Sequence, residues 1–427
     1  MIVDFSVQNF RSVNELQTLS FVATGLKSAK DLAHVDVNNI NVYGETGLFN
    51  TVGIYGANAS GKSNIVKALD YFIKVMVSQP SSVSNLQSLA QPFLFQENAD
   101  STESYFQLTL ILGETKYRYG LTVKKNAKAD DTGQKGEVVT NEWLFANKEK
   151  NMGPLFVREG KVLTKNHLKN KAKIPVEMPY EHSLFLTHAA AFDTEGDCKK
   201  LTDYLRGFFV SDYDIRHDKF RWMSIRQLEN NDGAKERFRS LLASFNLKYN
   251  DIVLDKDAEI DYSKIFPQDK VSLIKDFRTG EKVNSVSLNL KLNESAGTQK
   301  MFDLAGLLLL AFSLKSAAFI ILDEIDSNFH PALLIKLIGL FNDPEVNRSK
   351  SQLLFTSHDT NLMSPVIMRR DQFYFTEKKE DHSSRLYSLS DLKGIRNDAD
   401  FAKQYLAGYY GALPVLDGYC TNSDNDA

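Results

Sequence analysis

Gly56-Ala57-Asn58-Ala59-Ser60-Gly61-Lys62-Ser63 carries the most explicit chemistry in this sequence. Glycine at its first and sixth places lets the backbone curl until several N–H groups converge on one anion. Lys62 supplies a positive charge for the β- and γ-phosphates of a nucleotide, and Ser63 a hydroxyl for a magnesium ion. The flanks fit such a loop. Thr51–Tyr55 is apolar and β-branched enough for a short buried strand. From Asn64 to about Val77 the residues Ile65, Leu69, Phe72, Ile73 and Met76 form one helical stripe, so a helix N-terminus points at the anion. A glycine turn beside a chance lysine would lack that context.

Three further stretches could complete the chemistry. Ala317–Leu322 is an apolar strand that runs into Asp323-Glu324. A carboxylate there can hold a magnesium-bound water, which assigns Asp323 to metal and Glu324 to orienting or deprotonating the attacking water. Leu353-Leu354-Phe355-Thr356 is a second apolar strand, ending in Ser357-His358. In a parallel sheet such strand ends line the ligand crevice, so His358 can reach a γ-phosphate or the water. In Glu294-Ser295-Ala296-Gly297-Thr298-Gln299, Ser295 stands at an N-cap position before a strongly apolar helix. A helix N-terminus with a free hydroxyl binds anions, although a plain helix cap explains the same residues.

The elements that must position these groups read as α/β. Residues 2–10 and 16–23 form a plausible strand pair, and 104–112, 115–125, 136–146 and 153–164 an antiparallel sheet. Residues 183–247 have helical spacing, with Leu201, Tyr204, Leu205 and Phe208 on one face, and 251–292 return to strand-like alternation. A helix over 298–315, a strand over 317–323, a helix over 331–342 and a strand over 351–356 follow, which predicts a parallel sheet. No heptad is sustained, so no long coiled coil is expected. The division expected is an N-terminal lobe at 1–165, a mainly helical insertion at 166–255 and a C-terminal lobe at 256–427.

With 427 residues and a net charge of −3, the chain has no global basic signal for nucleic acid. Lys165, Lys169, Lys171 and Lys173 are the local exception, readable as a solvated loop or as a phosphate-backbone contact. Two distant cysteines, Cys198 and Cys420, argue against a zinc site or a disulfide framework. The N-terminus alternates like a strand rather than a signal peptide. The apolar run Leu304–Leu314 is broken by Gly306 and Ser313 and reads as a buried helix. A cytoplasmic protein without a membrane partner is expected, with a polar, frayed end from about Thr421.

The order of these motifs resembles the heads of ABC-type ATPases, including Rad50, SMC, RecF and OLD relatives. Asn9-Phe10-Arg11-Ser12, the phosphate-loop phrase through Asn64, Asp323 through Pro331 and Tyr405 through Pro414 look like the RloA and AriA branch of abortive-infection, phage-defence ATPases. The resemblance implies an ABC-type head, with a mixed sheet core and an antiparallel β subdomain, that binds ATP and Mg2+. Gly56, Ala57, Asn58, Ala59, Ser60, Gly61, Lys62, Ser63 and Asn64 would hold nucleotide, with Arg11 nearby. Ser295, Ala296, Gly297 and Gln299 would be a signature segment contacting the ATP of a second copy. Asp326 and Ser327 would cross the dimer interface, and His358 would be the switch histidine. A glutamine should join Ser63 and Asp323 at magnesium: Gln96, with Gln91 as the alternative.

Such a head implies an ATP-dependent homodimer or higher oligomer. One functional reading is a defence switch controlling a separate toxin or nuclease. The alternative is a DNA-repair or chromosome-maintenance ATPase that binds DNA. A self-contained nuclease would need more than Asp398-x-Asp400, which lies in a turn-like stretch.

Overall fold

The computed structural model describes residues 1–125, 136–147, 151–211, 219–230, 233–255, 270–314 and 317–414. Cys420, the polar end from Thr421 and most of the 124–136 loop lie outside these described residues.

A parallel sheet is buried on both faces. In chain order its strands are β5 (Thr51–Tyr55), β11 (Phe208–Ser211), β15 (Phe319–Leu322), β16 (Gln352–Thr356), β17 (Phe373–Lys378) and β18 (Ser384–Ser388). In space they run β11-β15-β16-β5-β17-β18, all parallel except β18. Period-two alternation divides their side chains between two cores. Val52, Ile54, Phe319, Ile321 and Leu354 face one, and Ile320, Leu322, Leu353 and Phe355 the other. Burial on both sides is why these strands are continuous apolar runs.

The first core lies between this sheet and an antiparallel one. The second sheet is built from β1 (Ile2–Gln8), β2 (Gln17–Ser20), β6 (Ser104–Leu112), β7 (Thr115–Lys125), β8 (Glu137–Asn147), β9 (Met152–Glu159) and β10 (Val162–Asn166), in the order β10-β9-β8-β7-β6-β1-β2. The single strand expected over 153–164 is two, because Gly160 turns the chain at φ +55°. A small hairpin, β3 (Ile40–Tyr43) with β4 (Thr46–Phe49), follows the short helix α1 (Ala33–Asn38). Helix α2 (Lys62–Val77) crosses the first core, with Phe72 stacked on Phe106 and Tyr119 at 5.6 and 5.8 Å between ring centres. The helix that begins at the phosphate loop is thus anchored at Phe72 by aromatic packing.

The 166–255 stretch serves both cores. Helices α3 (Phe185–Phe192) and α4 (Asp197–Leu205) pack in the first. The helical face expected to continue through Phe208 stops earlier, and Phe208 opens β11 at the edge of the parallel sheet. Helices α5 (Lys219–Asn230) and α6 (Ala234–Ser244) pack in the second core on α7 (Ala296–Ser313). Gly306 of α7 is needed there: an added Cβ would lie 2.1 Å from Ser224 Oγ. Helix α8 (Pro331–Asn342) completes this layer, and α9 (Phe401–Leu406) follows the sheet. The strands β12 (Asp251–Leu254), β13 (Val271–Thr279) and β14 (Lys282–Asn289) form a separate antiparallel sheet before α7. The longest described helix, α7, has 18 residues, and no described helix is long and apolar enough to cross a membrane.

A buried ion pair fixes α3 to the antiparallel sheet. Glu142 and Arg158 are both almost fully buried and meet at 3.1 Å. The Glu142 carboxylate also accepts the first helical N–H groups, Phe185 at 2.7 Å and Leu186 at 2.8 Å, and the Tyr119 hydroxyl at 3.0 Å. Charge at a helix N-terminus and full hydrogen bonding offset its desolvation. Glu142→Gln leaves the Arg158 charge without its counter-charge and should destabilise by about 3 kcal/mol. Urea unfolding measures this; a change below about 1 kcal/mol would show the pair to be dispensable.

Candidate nucleotide site

The ends of three adjacent parallel strands bring the candidate groups together. Ile54 is paired with Thr356, and Leu322 with Phe355, so β5, β15 and β16 terminate side by side. The phosphate loop leaves β5, Asp323-Glu324 leaves β15, and Ser357-His358 leaves β16. This is the strand-end crevice where open α/β sheets take their ligands.

The loop is tightly pinned. Gly56 has φ +148°, and an added Cβ would sit 2.3 Å from the Thr376 carbonyl. Gly61 has φ +111°, with Ser384 Oγ 2.2 Å from where a Cβ would be. Ser60 Oγ lies 2.6 Å from Thr376 Oγ1, while Asn58 and Ala59 form the exposed tip, Ala59 at φ +60°. Lys62 is buried, and its ammonium donates to the carbonyls of Gly56 at 2.9 Å and Ala57 at 3.0 Å. Burial lowers its pKa, against the opposing pull of Asp323, Glu324 and Asp326. Ser63 stands half-buried in the first turn of α2.

Thr356 organises the acidic pair, and sequence reasoning missed it. Its hydroxyl donates to Asp323 Oδ1 at 2.5 Å and accepts the Glu324 N–H at 2.8 Å. Asp323 is buried, and its Oδ2 accepts no hydrogen bond from the described residues. Glu324 is exposed, in left-handed backbone at φ +49°. That conformation is uncommon for glutamate and needs the surroundings to enforce it. The His358 N–H donates to Asp326 Oδ2 at 2.8 Å. Burial, then the Lys62 charge, lowers the His358 pKa against the opposing pull of Asp326, Glu324 and Asp323, which favours the neutral imidazole. One buried carboxylate, one half-buried hydroxyl and one ammonium beneath a curled backbone fit a magnesium–triphosphate donor set.

The remaining candidates fall in two groups. Asn64 donates to Ser12 Oγ at 2.7 Å, and Ser12 Oγ also accepts from Ser384 at 2.8 Å, which ties the Arg11-Ser12 turn to the loop. Arg11 itself, at φ +51°, donates to Gln91 Oε1 at 2.8 Å and lies over the Tyr71 ring. Gln96 instead donates to Asn9 Oδ1 at 2.6 Å and to the Phe93 carbonyl at 2.8 Å. Both glutamines are thus joined to the turn of residues 9–14, Gln91 through Arg11 beside Ser12 and Gln96 through Asn9.

The segment from Ser295 forms a second unit. Ser295 caps α7 and accepts the Thr298 N–H at 3.2 Å. Ser295 and Ala296 are exposed, and Gln299 donates to the Glu294 carbonyl at 3.0 Å. An added Cβ on Gly297 would lie 2.8 Å from the Asn328 carbonyl. Lys300 donates to the Ser327 carbonyl at 2.6 Å over the Phe329 ring, and burial pushes its pKa down to about 7. The start of α7 and residues 326–329 are therefore packed as one body. No described hydrogen bond links residues 294–299 to the phosphate loop of the same chain.

Elsewhere, Lys165, Lys169, Lys171 and Lys173 are all exposed. Asp398 pairs with Arg396 and Asp400 caps α9, which gives both a structural role. Thr356→Val should leave nucleotide affinity without magnesium unchanged and lower kcat about tenfold or more, because Asp323 and Glu324 lose their shared guide. Steady-state ATPase assays check it; an unchanged kcat would refute the bridging role.

A family model described as "AAA domain, putative AbiEii toxin, Type IV TA system" matches residues 52–161 and 192–364, more than half of the chain. The matched stretches contain the phosphate loop, Ser295–Gln299, Asp323-Glu324 and Thr356–His358. No curated protein matches the chain. With its phosphate loop and acidic strand end in one crevice, the chain belongs to this family of AAA domains.

Proposed function

We propose that the chain is an ATP-hydrolysing head that pairs with a second copy around ATP and, in doing so, switches a separate toxin or nuclease in anti-phage defence. The observation carrying this reading is the separation of two anion-competent units. One is the phosphate loop with Asp323 and Glu324. The other is the exposed N-terminus of α7, with Ser295 at its cap and no bond to that loop. Each has half of what a triphosphate needs, and a two-fold pairing would supply both halves twice. The family's description, which names a toxin–antitoxin system, supports the defence context.

Within that reading, Gly56 through Asn64 would hold the phosphates, and Ser63 and Asp323, with Gln96 or alternatively Gln91, would hold magnesium, which would supply positive charge against the phosphate oxygens. Glu324 takes up a proton from the attacking water as the water oxygen bonds to the γ-phosphorus and the bond to the β–γ bridging oxygen breaks, releasing ADP and phosphate; His358 hydrogen-bonds the water or the γ-phosphate. Asp326 and Ser327 lie at the junction of the two copies, carried by the Lys300 contact. ATP favours the closed pair only through its greater affinity for that state, so hydrolysis releases it.

Glu324→Gln should keep ATP binding, slow turnover about a hundredfold or more and accumulate an ATP-dependent dimer. Light scattering with and without MgATP reads this; a mass that ignores ATP in both wild type and variant contradicts the switch.

A further inference from the structure

Tyr405-Leu406-Ala407-Gly408-Tyr409-Tyr410-Gly411-Ala412 lies beyond the end of the family match at residue 364. After α9 the chain turns through Gly408 at φ +83°, Gly411 at φ +71° and Ala412 at φ +58°. This brings the Ala412 carbonyl to the phosphate loop, where it accepts the Ala57 N–H at 3.0 Å. The same carbonyl accepts the Tyr405 hydroxyl at 3.1 Å. The Tyr387 hydroxyl donates to the Tyr410 carbonyl at 2.6 Å. Beneath the turn, Phe375 packs against Tyr405 at 5.4 Å, against Tyr387 and Tyr410 at 5.8 Å and against Tyr55 at 6.3 Å. The turn is thus fastened to the core directly under the loop.

The consequence follows from peptide planarity. The Gly56 carbonyl and the Ala57 N–H are two ends of one trans peptide group and point in opposite directions. The N–H end is held by Ala412, and the carbonyl end accepts the Lys62 ammonium at 2.9 Å. Holding one end fixes the aim of the other. We propose that the 405–412 segment is a strap whose tyrosine-anchored Ala412 carbonyl orients the Gly56–Ala57 peptide and thereby positions Lys62 for the phosphates. Tyr405 is then a positioning residue of the nucleotide site, acting through backbone. The inference rests on the nucleotide reading of the phosphate loop, not on dimerisation or on any effector.

The test uses the full chain with Tyr405→Phe, which removes the hydroxyl and keeps the ring packing. Kd and KM for MgATP should each rise about fivefold, the loss of one hydrogen bond. At the same time kcat should stay within about twofold, and the thermal midpoint without nucleotide should fall by no more than about 3 °C, the share of one buried hydrogen bond. Gly411→Ala is the stronger variant: its Cβ would meet Glu377 Oε2 at 2.8 Å and the Tyr387 hydroxyl at 2.9 Å. It should weaken MgATP binding more than Tyr405→Phe does. Unchanged affinity in both variants, or affinity lost only in step with the thermal midpoint, overturns the strap while leaving the nucleotide site intact. A wild-type chain that binds no MgATP overturns the site and the strap together.

Discussion

A lysine ammonium buried at the end of a parallel sheet is the constraint on which the rest depends. Lys62 cannot sit there without acceptors, and the loop's own carbonyls provide them at 2.9 and 3.0 Å. Turning two carbonyls toward one ammonium forces the curled backbone, and the curl is affordable only with glycine at 56 and 61. The loop's outer side must then be held by something else. Thr376, Ser384, Ser12 and Ala412 surround it, from β17, β18, the first strand pair and the C-terminal turn. Residues from both ends of the chain are needed to keep one charge in place.

The acidic side obeys the same logic at a different strand end. Parallel pairing sets β15 and β16 in register, so Thr356 falls beside Asp323 and Glu324. One hydroxyl gives its proton to a carboxylate and its lone pair to a backbone N–H. It thereby holds the aspartate and keeps the glutamate's backbone in an unfavourable region. Asp326 then takes the His358 N–H, and Lys300 takes the Ser327 carbonyl. The acidic turn is connected to the histidine on one side and to the start of α7 on the other.

Much of this was legible in the sequence because the decisive signals are local. The phosphate-loop spacing, the apolar strand before Asp323 and the helix at 331–342 are each fixed by a few consecutive residues. The antiparallel strands from Ser104 to Asn147 followed from alternation. What could not be read depended on distant partners. Phe208 continues a helical apolar face by spacing, yet pairing with Phe319 makes it strand. The β17–β18 hairpin was not anticipated, because its role beside the loop exists only once β5 is its neighbour. Thr356 looks like an ordinary strand-end threonine until β15 is placed next to it. The last turn's part in the loop rests on a backbone carbonyl, which no residue type announces.

In the proposed pairing one triphosphate is gripped by Lys62 of one copy and Ser295 of another. The decisive experiment mixes two inactive variants, Lys62→Ala and Ser295→Arg. A mixed pair would rebuild one intact site from the unmutated halves, so ATPase activity should return to roughly a quarter of wild type. A mixture as inactive as its components would contradict the shared site.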